Sequence, residues 1–271
     1  MKFKNKNIFI TGASSGIGEA LALAVAKEAA TLILVARRKD RLVKLSDRLR
    51  SLNPQLQIVA LAKDITNASH QTEIIEELRQ RHIIVDVLIN NAGVGDDAVF
   101  KNANWQKLEN IIELNVKSLT RITHLLIPQI TERKGAIVFI GSGAGIAWMP
   151  GSVVYSASKH FVTALAMGLY GELKPLGAQV SLVCPGPVES EFNEASGIEG
   201  GIKTGPSANM QISASECAAA IVSGVQKGKS LIFPGKKYNM LMKFYINLPW
   251  LLRRKTVEAE GRKIQLVKTD K

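Results

Sequence analysis

Tyr155 and Lys159 stand four residues apart in Tyr155-Ser156-Ala157-Ser158-Lys159, so on a helix the phenol and the ammonium share one face. A cation beside a phenol stabilises the phenolate, which brings a group of ordinary pKa about 10 toward use as an acid or base near neutrality. Taken alone, Tyr-x-x-x-Lys is common helix decoration. Ser142 reverses that judgement, because it directly follows a strand-like run and would lie at the carboxyl edge of a sheet, where a hydroxyl can orient a substrate oxygen. Phenol, hydroxyl and ammonium together suit proton transfer at a carbonyl or alcohol oxygen.

A second group of residues suits a dinucleotide. Thr11-Gly12-Ala13-Ser14-Ser15-Gly16-Ile17-Gly18 lies between a strand-like run and a helix, where glycines let the backbone turn tightly and approach a pyrophosphate whose charge rests on the helix N-terminus. The spacing is Gly-x-x-x-Gly-x-Gly rather than the commoner Gly-x-Gly-x-x-Gly, and glycines also serve ordinary turns. The place between strand and helix favours the phosphate reading. The next strand-like run ends Leu34-Val35-Ala36-Arg37-Arg38. An acidic residue there would bind the ribose hydroxyls of NAD, whereas arginine complements the 2′-phosphate of NADP. Two arginines and no acid favour NADP(H) and make both Arg37 and Arg38 candidate cofactor contacts, with Arg37 the expected phosphate contact and Arg38 the likelier of the two to be a solvated helix start instead.

These residues need elements to position them. Short β-branched runs at 8–11, 31–36, 57–62, 85–90, 136–140, 179–184 and 230–233 alternate with helical periodicity near 16–29, 39–52, 68–81, 105–131, 153–175 and 213–227. Strands that are apolar throughout, joined by crossovers of helix length, predict an α/β fold: a doubly wound, parallel, seven-stranded sheet with helices on both faces. The stretch 185–211 is too long for a connector and is expected to be a binding lid. The predicted organisation is a dinucleotide-binding and catalytic domain over 1–235, followed by a basic, amphipathic C-terminal extension over 236–271.

Composition excludes several classes. At 46 % hydrophobic and 21 % charged residues the chain is neither disordered nor membrane-spanning in character. Cys184 and Cys217 are the only cysteines and the four histidines show no ligand spacing, so neither a disulfide framework nor a metal site is expected, and a reducing, cytoplasmic setting fits. The basic N-terminus runs straight into strand-like Asn7–Ile10 and reads as no export signal. Of the net charge of +12, an excess of seven falls after residue 235, where ten Lys/Arg meet three Asp/Glu. That balance raises nucleic acid or an anionic membrane surface as partners.

In order along the chain, the glycine segment 11–18, Asp64-Ile65, Asn90-Asn91-Ala92-Gly93, Asn115, Ser142, Tyr155 with Lys159, and Pro185-Gly186-Pro187-Val188 resemble the short-chain dehydrogenase/reductase family in its compact, single-domain form. The resemblance covers nearly everything to about residue 235 and implies a Rossmann-like fold and a homodimer or homotetramer. It implies that Tyr155 donates the proton during reduction, Ser142 holds the carbonyl oxygen, Lys159 binds the nicotinamide ribose while acidifying Tyr155, and Asn115 holds a water in the proton relay. The cofactor would rest on Gly12, Ser14, Ser15, Gly16, Ile17 and Gly18. Asp64 would meet the adenine edge with Ile65 beside it, Asn91, Ala92 and Gly93 would line the ribose region, and Pro185, Gly186 and Val188 would face the nicotinamide. Ser190 departs from the family's frequent threonine but keeps the hydroxyl.

The function these residues predict is hydride transfer between NADP(H) and a carbonyl or secondary alcohol carbon, of a lipophilic substrate if the apolar tail is a guide. A catalytically silent NADP-sensing binding protein is the alternative, against which the intact Tyr155, Lys159 and Ser142 weigh. In the tail, the longest stretch without a charge, Phe244–Leu252, is nine residues and contains Pro249, which should kink a helix. That falls short of the roughly 20 apolar residues a membrane span needs. Peripheral membrane contact and a helix docked inertly on its own domain stay open as readings, while the apolar content argues against nucleic acid.

Overall fold

The computed structural model describes residues 3–192, 196 and 209–269. Strands β1 (Asn7–Thr11), β2 (Thr31–Ala36), β3 (Gln57–Ala62), β4 (Val87–Asn90), β5 (Ala136–Ile140) and β6 (Gln179–Val183) belong to one sheet. Two short strands, β7 (Val188–Glu189) and β8 (Ile212–Ser213), pair with each other, and β9 (Leu231–Ile232) completes the main sheet in the order β3-β2-β1-β4-β5-β6-β9, every pair parallel. The connections are helical: α1 (Gly16–Val25), α2 (Lys39–Leu52), α3 (Ala68–Gln80), α4 (Trp105–Ile112), α5 (Leu119–Glu132), α6 (Val153–Leu173) and α7 (Ala214–Gln226).

Helices on both faces explain why the inner strands carry no polar alternation. β2 is buried at all six positions, whereas β3 at the sheet edge alternates and exposes Gln57, Ala60 and Ala62. One core, between the sheet and α1, α2 and α7, holds Leu21, Leu42, Leu49, Cys217, Ile221 and Val225. The other, beneath α3, α5 and α6, holds Ile74, Ile122, Leu126, Val162 and Cys184. Strand order reverses between β1 and β4, which opens a crevice at their carboxyl ends. The segments leaving β1, β4, β5 and β6 all gather at that edge.

The helix expected over 105–131 is interrupted by a wide π-turn at Glu113–Ser118, where the Ser118 hydroxyl donates to the Glu113 carbonyl at 2.7 Å. The physical reason lies in Asn115, which is fully buried at the centre of this turn and bonded on all sides. At the other end of the chain, Pro249 separates two helices instead of kinking one: α8 (Lys236–Ile246) stops before it and α9 (Trp250–Thr269) starts after it, as a residue without an N–H and with a restricted predecessor requires. Of the expected lid, residues 193–195 and 197–208 lie outside the described residues. Its exit is fixed by a capping box on α7, in which the Ser213 hydroxyl accepts from the Glu216 amide while the Glu216 carboxylate accepts from the Ser213 amide. Among the described residues, no helix is long and apolar enough to cross a membrane.

Candidate active site

The glycine segment forms a cradle between β1 and α1. Gly12 has a φ of +64°, which a side chain would strain, and a Cβ on Gly18 would stand 2.3 Å from the Gly12 carbonyl oxygen and 2.5 Å from the Asn91 amide nitrogen. The turn is therefore as tight as backbone permits. Asn91 braces it from β4, donating to the carbonyls of Thr11 and Gly12 at 3.0 and 3.1 Å, while the Thr11 hydroxyl accepts from the amides of Asn91 and Ala92, both at 3.0 Å. Ser15 is the N-cap of α1 but makes no capping bond, so among the described residues the first amides of Gly16, Ile17 and Gly18 have no side-chain acceptor. Ser190 sits over Gly16 from the far side of the crevice.

At the end of β2, Arg38 turns onto this cradle. Its guanidinium lies 2.7 Å from the Ser15 hydroxyl, 3.4 Å from that of Ser14 and 2.9 Å from the Glu191 carboxylate, which Arg41 also binds. Hydrogen bonds from Arg41 and Arg38 hold the Glu191 carboxyl below its ordinary range. Arg37 is exposed beside it. The arginine expected to be solvated is thus the one that reaches the glycine segment, because successive residues leaving a strand point to opposite sides. After β3, the Asp64 carboxylate accepts from the amide and hydroxyl of Thr66 at 2.9 and 2.8 Å, and Ile65 is buried in the second core.

Tyr155, on the first turn of α6, faces Ser142, which follows β5 across Gly141. Ser142 hydrogen-bonds the phenol, and the Ser142 oxygen is itself oriented by the amide of Ala144 at 3.1 Å. One turn further along α6, Lys159 is buried, its ammonium donating to the Ile140 carbonyl at 3.0 Å and lying 5.9 Å from the centre of the Tyr155 ring. A Cβ on Gly93 would be 3.3 Å from both Lys159 Nζ and Asn115 Oδ1, so this glycine lets the chain after β4 close over the two. Asn115 accepts from the Val94 amide at 3.0 Å and donates to the Val94 carbonyl at 2.9 Å and the Ser158 hydroxyl at 3.0 Å, which fixes it against rotation.

Burial dominates the electrostatics. It pushes Tyr155 up to about 12 despite the hydrogen bond from Ser142, which acts the other way, and it pushes Lys159 down to about 8. The sequence suggests a phenol made more acidic by its neighbour. In this state desolvation wins instead, and Tyr155 keeps its proton at neutral pH. A protonated phenol and a hydroxyl aimed at one point can bind an oxygen and deliver a proton to it.

The wall opposite Ser142 is the segment after β6. The Pro185 carbonyl accepts from the Gly143 amide at 2.9 Å and from the Tyr238 hydroxyl at 3.4 Å, and the Tyr238 ring lies against Gly186. Val188 is buried, in register with Ile212. Phe192 packs its ring 5.7 Å from that of Tyr155. In the sequence Thr11, Ser158 and Tyr238 carry no role of their own, and Glu191 and Phe192 fall only within the expected lid. Ser158 lies within the Tyr-x-x-x-Lys segment and Thr11 opens the glycine segment, so a signal existed for both. Tyr238 had none beyond being an aromatic residue on an amphipathic stretch.

A family model described as short chain dehydrogenase matches residues 6–199. An 11-beta-hydroxysteroid dehydrogenase-like 3 protein of Arabidopsis thaliana is 35 % identical over 228 residues, covering 84 % of this chain and 72 % of the relative. A short-chain dehydrogenase from Sphingobium yanoikuyae, solved in complex with NADPH, superposes with a TM-score of 0.76 at 30 % identity, covering 96 % of this chain and 95 % of its own. A short chain dehydrogenase/reductase from Burkholderia phymatum in complex with NAD shares the fold at a TM-score of 0.77 and 23 % identity, covering 90 % of this chain and 93 % of its own.

Proposed function

The chain belongs to the short-chain dehydrogenase/reductase family and is an oxidoreductase; on that footing we propose that it uses NADP(H) to interconvert a lipophilic carbonyl compound and its secondary alcohol, with Tyr155 as the proton donor and acceptor. The observation that carries the reading is the meeting of Tyr155, Ser142 and buried Lys159 at the sheet edge beside the glycine cradle. The cradle fits a pyrophosphate, since a Cβ at position 18 would fill the turn that holds it, and Arg38 on Ser14 and Ser15 supports a 2′-phosphate there. Bound in this crevice, the nicotinamide supplies or takes the hydride. The chain does the rest: Ser142 holds the substrate oxygen, Tyr155 gives that oxygen its proton in reduction, and Lys159 and Asn115 hold the ribose region and the route by which Tyr155 is reprotonated.

The name of the Arabidopsis relative and the exposed Trp148, Met149 and Val153 on the segment leading to Tyr155 support a lipophilic substrate. Buried, unpaired Cys184 and Cys217 suit a reducing compartment. Following NADPH absorbance over a panel of ketones and alcohols tests the proposal. Turnover should appear with lipophilic ketones, and Tyr155→Phe should lose it by roughly 100-fold or more, the usual contribution of a general acid, while still binding NADPH. A Tyr155→Phe enzyme turning over at the parental rate refutes the assignment.

A further inference from the structure

Among the described residues, helix α8 is held by one face only. Tyr238 and Met242 are buried in the second core, while Met240 and Phe244, on the side turned away, are 72 % and 66 % exposed. The first turn of α9 then exposes Trp250, Leu251 and Leu252 together. Apolar surface of this size within thirteen residues marks an interaction site on a folded chain. Its charge says what covers it: from Lys236 to Lys255 there are six basic residues and no acidic one, and although Arg254 pairs with Glu258 at 2.8 Å and Arg253 stacks on Trp148, the exposed Lys236, Lys237, Lys243 and Lys255 keep the surface cationic.

We propose that α8 and the start of α9 dock on an anionic lipid bilayer, apolar side chains entering the headgroup boundary and basic ones meeting the lipid phosphates and carboxylates. A second copy of this chain is disfavoured as the occupant, because a two-fold contact would set the same six cations against themselves. Nucleic acid would leave Met240, Leu251 and Leu252 without a role.

The docking helices are also fastened to the walls of the catalytic crevice. Tyr238 of α8 joins the Ser142 segment to the segment after β6 through Gly143, Gly186 and the Pro185 carbonyl. On α9, Arg253 stacks 5.4 Å over Trp148, and Ile264 reaches Gly151, both in the segment between Ser142 and Tyr155. Trp148 and Met149, each 38 % exposed, extend the apolar surface from the helices to that segment. Docked in this way, the enzyme receives a lipophilic substrate from the bilayer without its passage through water. The docking itself does not depend on the reaction assigned above.

Flotation of the full chain with vesicles of phosphatidylcholine alone, or of phosphatidylcholine with phosphatidylserine, tests the proposal independently of turnover. The chain should float with the anionic vesicles at low salt, stay behind with the neutral ones, and be released as salt rises. Each basic side chain near such a surface strengthens binding by roughly fivefold, so Lys236→Gln/Lys237→Gln/Lys243→Gln should weaken it by roughly 100-fold. Met240→Ser/Phe244→Ser/Leu251→Ser should also abolish flotation, and both variants should retain turnover of a water-soluble ketone. The proposal is overturned if the parent chain does not float with anionic vesicles at low salt, or if both variants float as well as the parent. It is equally overturned if the apolar variant only converts a larger species to a smaller one in light scattering, because a second copy then covers the face.

Discussion

Replacing Arg38 by alanine removes the one guanidinium that reaches the glycine cradle among the described residues, and its effect on the two nicotinamide cofactors should differ. Arg38 lies within hydrogen-bonding distance of Ser14 and Ser15, so a 2′-phosphate seated between β2 and the cradle would receive a charge-assisted bond of about 1.5 to 3 kcal/mol. The side chain is 42 % exposed and must first part from Glu191, so the lower end applies. About 1.5 kcal/mol is roughly a tenfold change in dissociation constant. Fluorescence titration should therefore show Arg38→Ala binding NADPH roughly tenfold more weakly with NADH unchanged, and Glu191→Gln, which withdraws the competing carboxylate, binding NADPH severalfold more tightly. Adding salt should narrow the difference. If Arg38→Ala keeps its preference for NADPH while Arg37→Ala loses it, the phosphate sits on Arg37 and the contact geometry of Arg38 is irrelevant to selectivity.

Three further outcomes follow from the site. Lys159 loses its proton near pH 8 in the free enzyme, so kcat/KM for reduction should fall as pH rises through that value, the cationic form being the one that holds the ribose; a profile flat to pH 10 argues that the lysine acts otherwise. Gly18→Ala drives a methyl into the Gly12 carbonyl and the Asn91 amide, and should cost about 1 to 3 kcal/mol of stability along with cofactor affinity, read by thermal melting and titration; unchanged values would mean the turn yields freely. Finally, α6 exposes Val153, Phe161 and Met167, and a Cβ on Gly168 or Gly171 would touch nothing within 4 Å, which leaves room for a second copy's helix. Light scattering should give a dimer or tetramer, and a 29.4 kDa species alone at micromolar concentration contradicts it.

β2, α2, β3 and β5 fall on the residues that their hydrophobic pattern predicts, because inner strands covered on both faces, an edge strand that alternates and a helix covered on one face leave unambiguous periods. The wide turn at Glu113–Ser118 was illegible for the same reason. The buried positions 108, 111, 115, 119, 122, 126 and 130 keep three- and four-residue steps straight through it, so the sequence reads as one helix. The relative standing of Arg37 and Arg38 depends on which side of a strand end each leaves, and composition carries no trace of that. Tyr238 meets Pro185 across 53 residues of chain, a contact no local pattern encodes. The upward push of burial on Tyr155 is likewise absent from the sequence, where neighbours are visible and desolvation is not.

The placement of the two cysteines gives each face of the sheet its own chemical reporter. Cys184 lies in the core beneath the catalytic segments and Cys217 in the core on the opposite face, and burial raises both thiols to about 12. A thiol-specific reagent meets neither in the closed protein, because the reactive thiolate is both hidden and scarce. Labelling must then wait for the structure to open locally, and the two rates separate openings of the catalytic side from openings of the other layer. A ligand held at Tyr155 and Ser142 would slow the first clock, and one seated on the glycine cradle at the start of α1 would slow the second, so the chain carries a two-channel record of where it breathes.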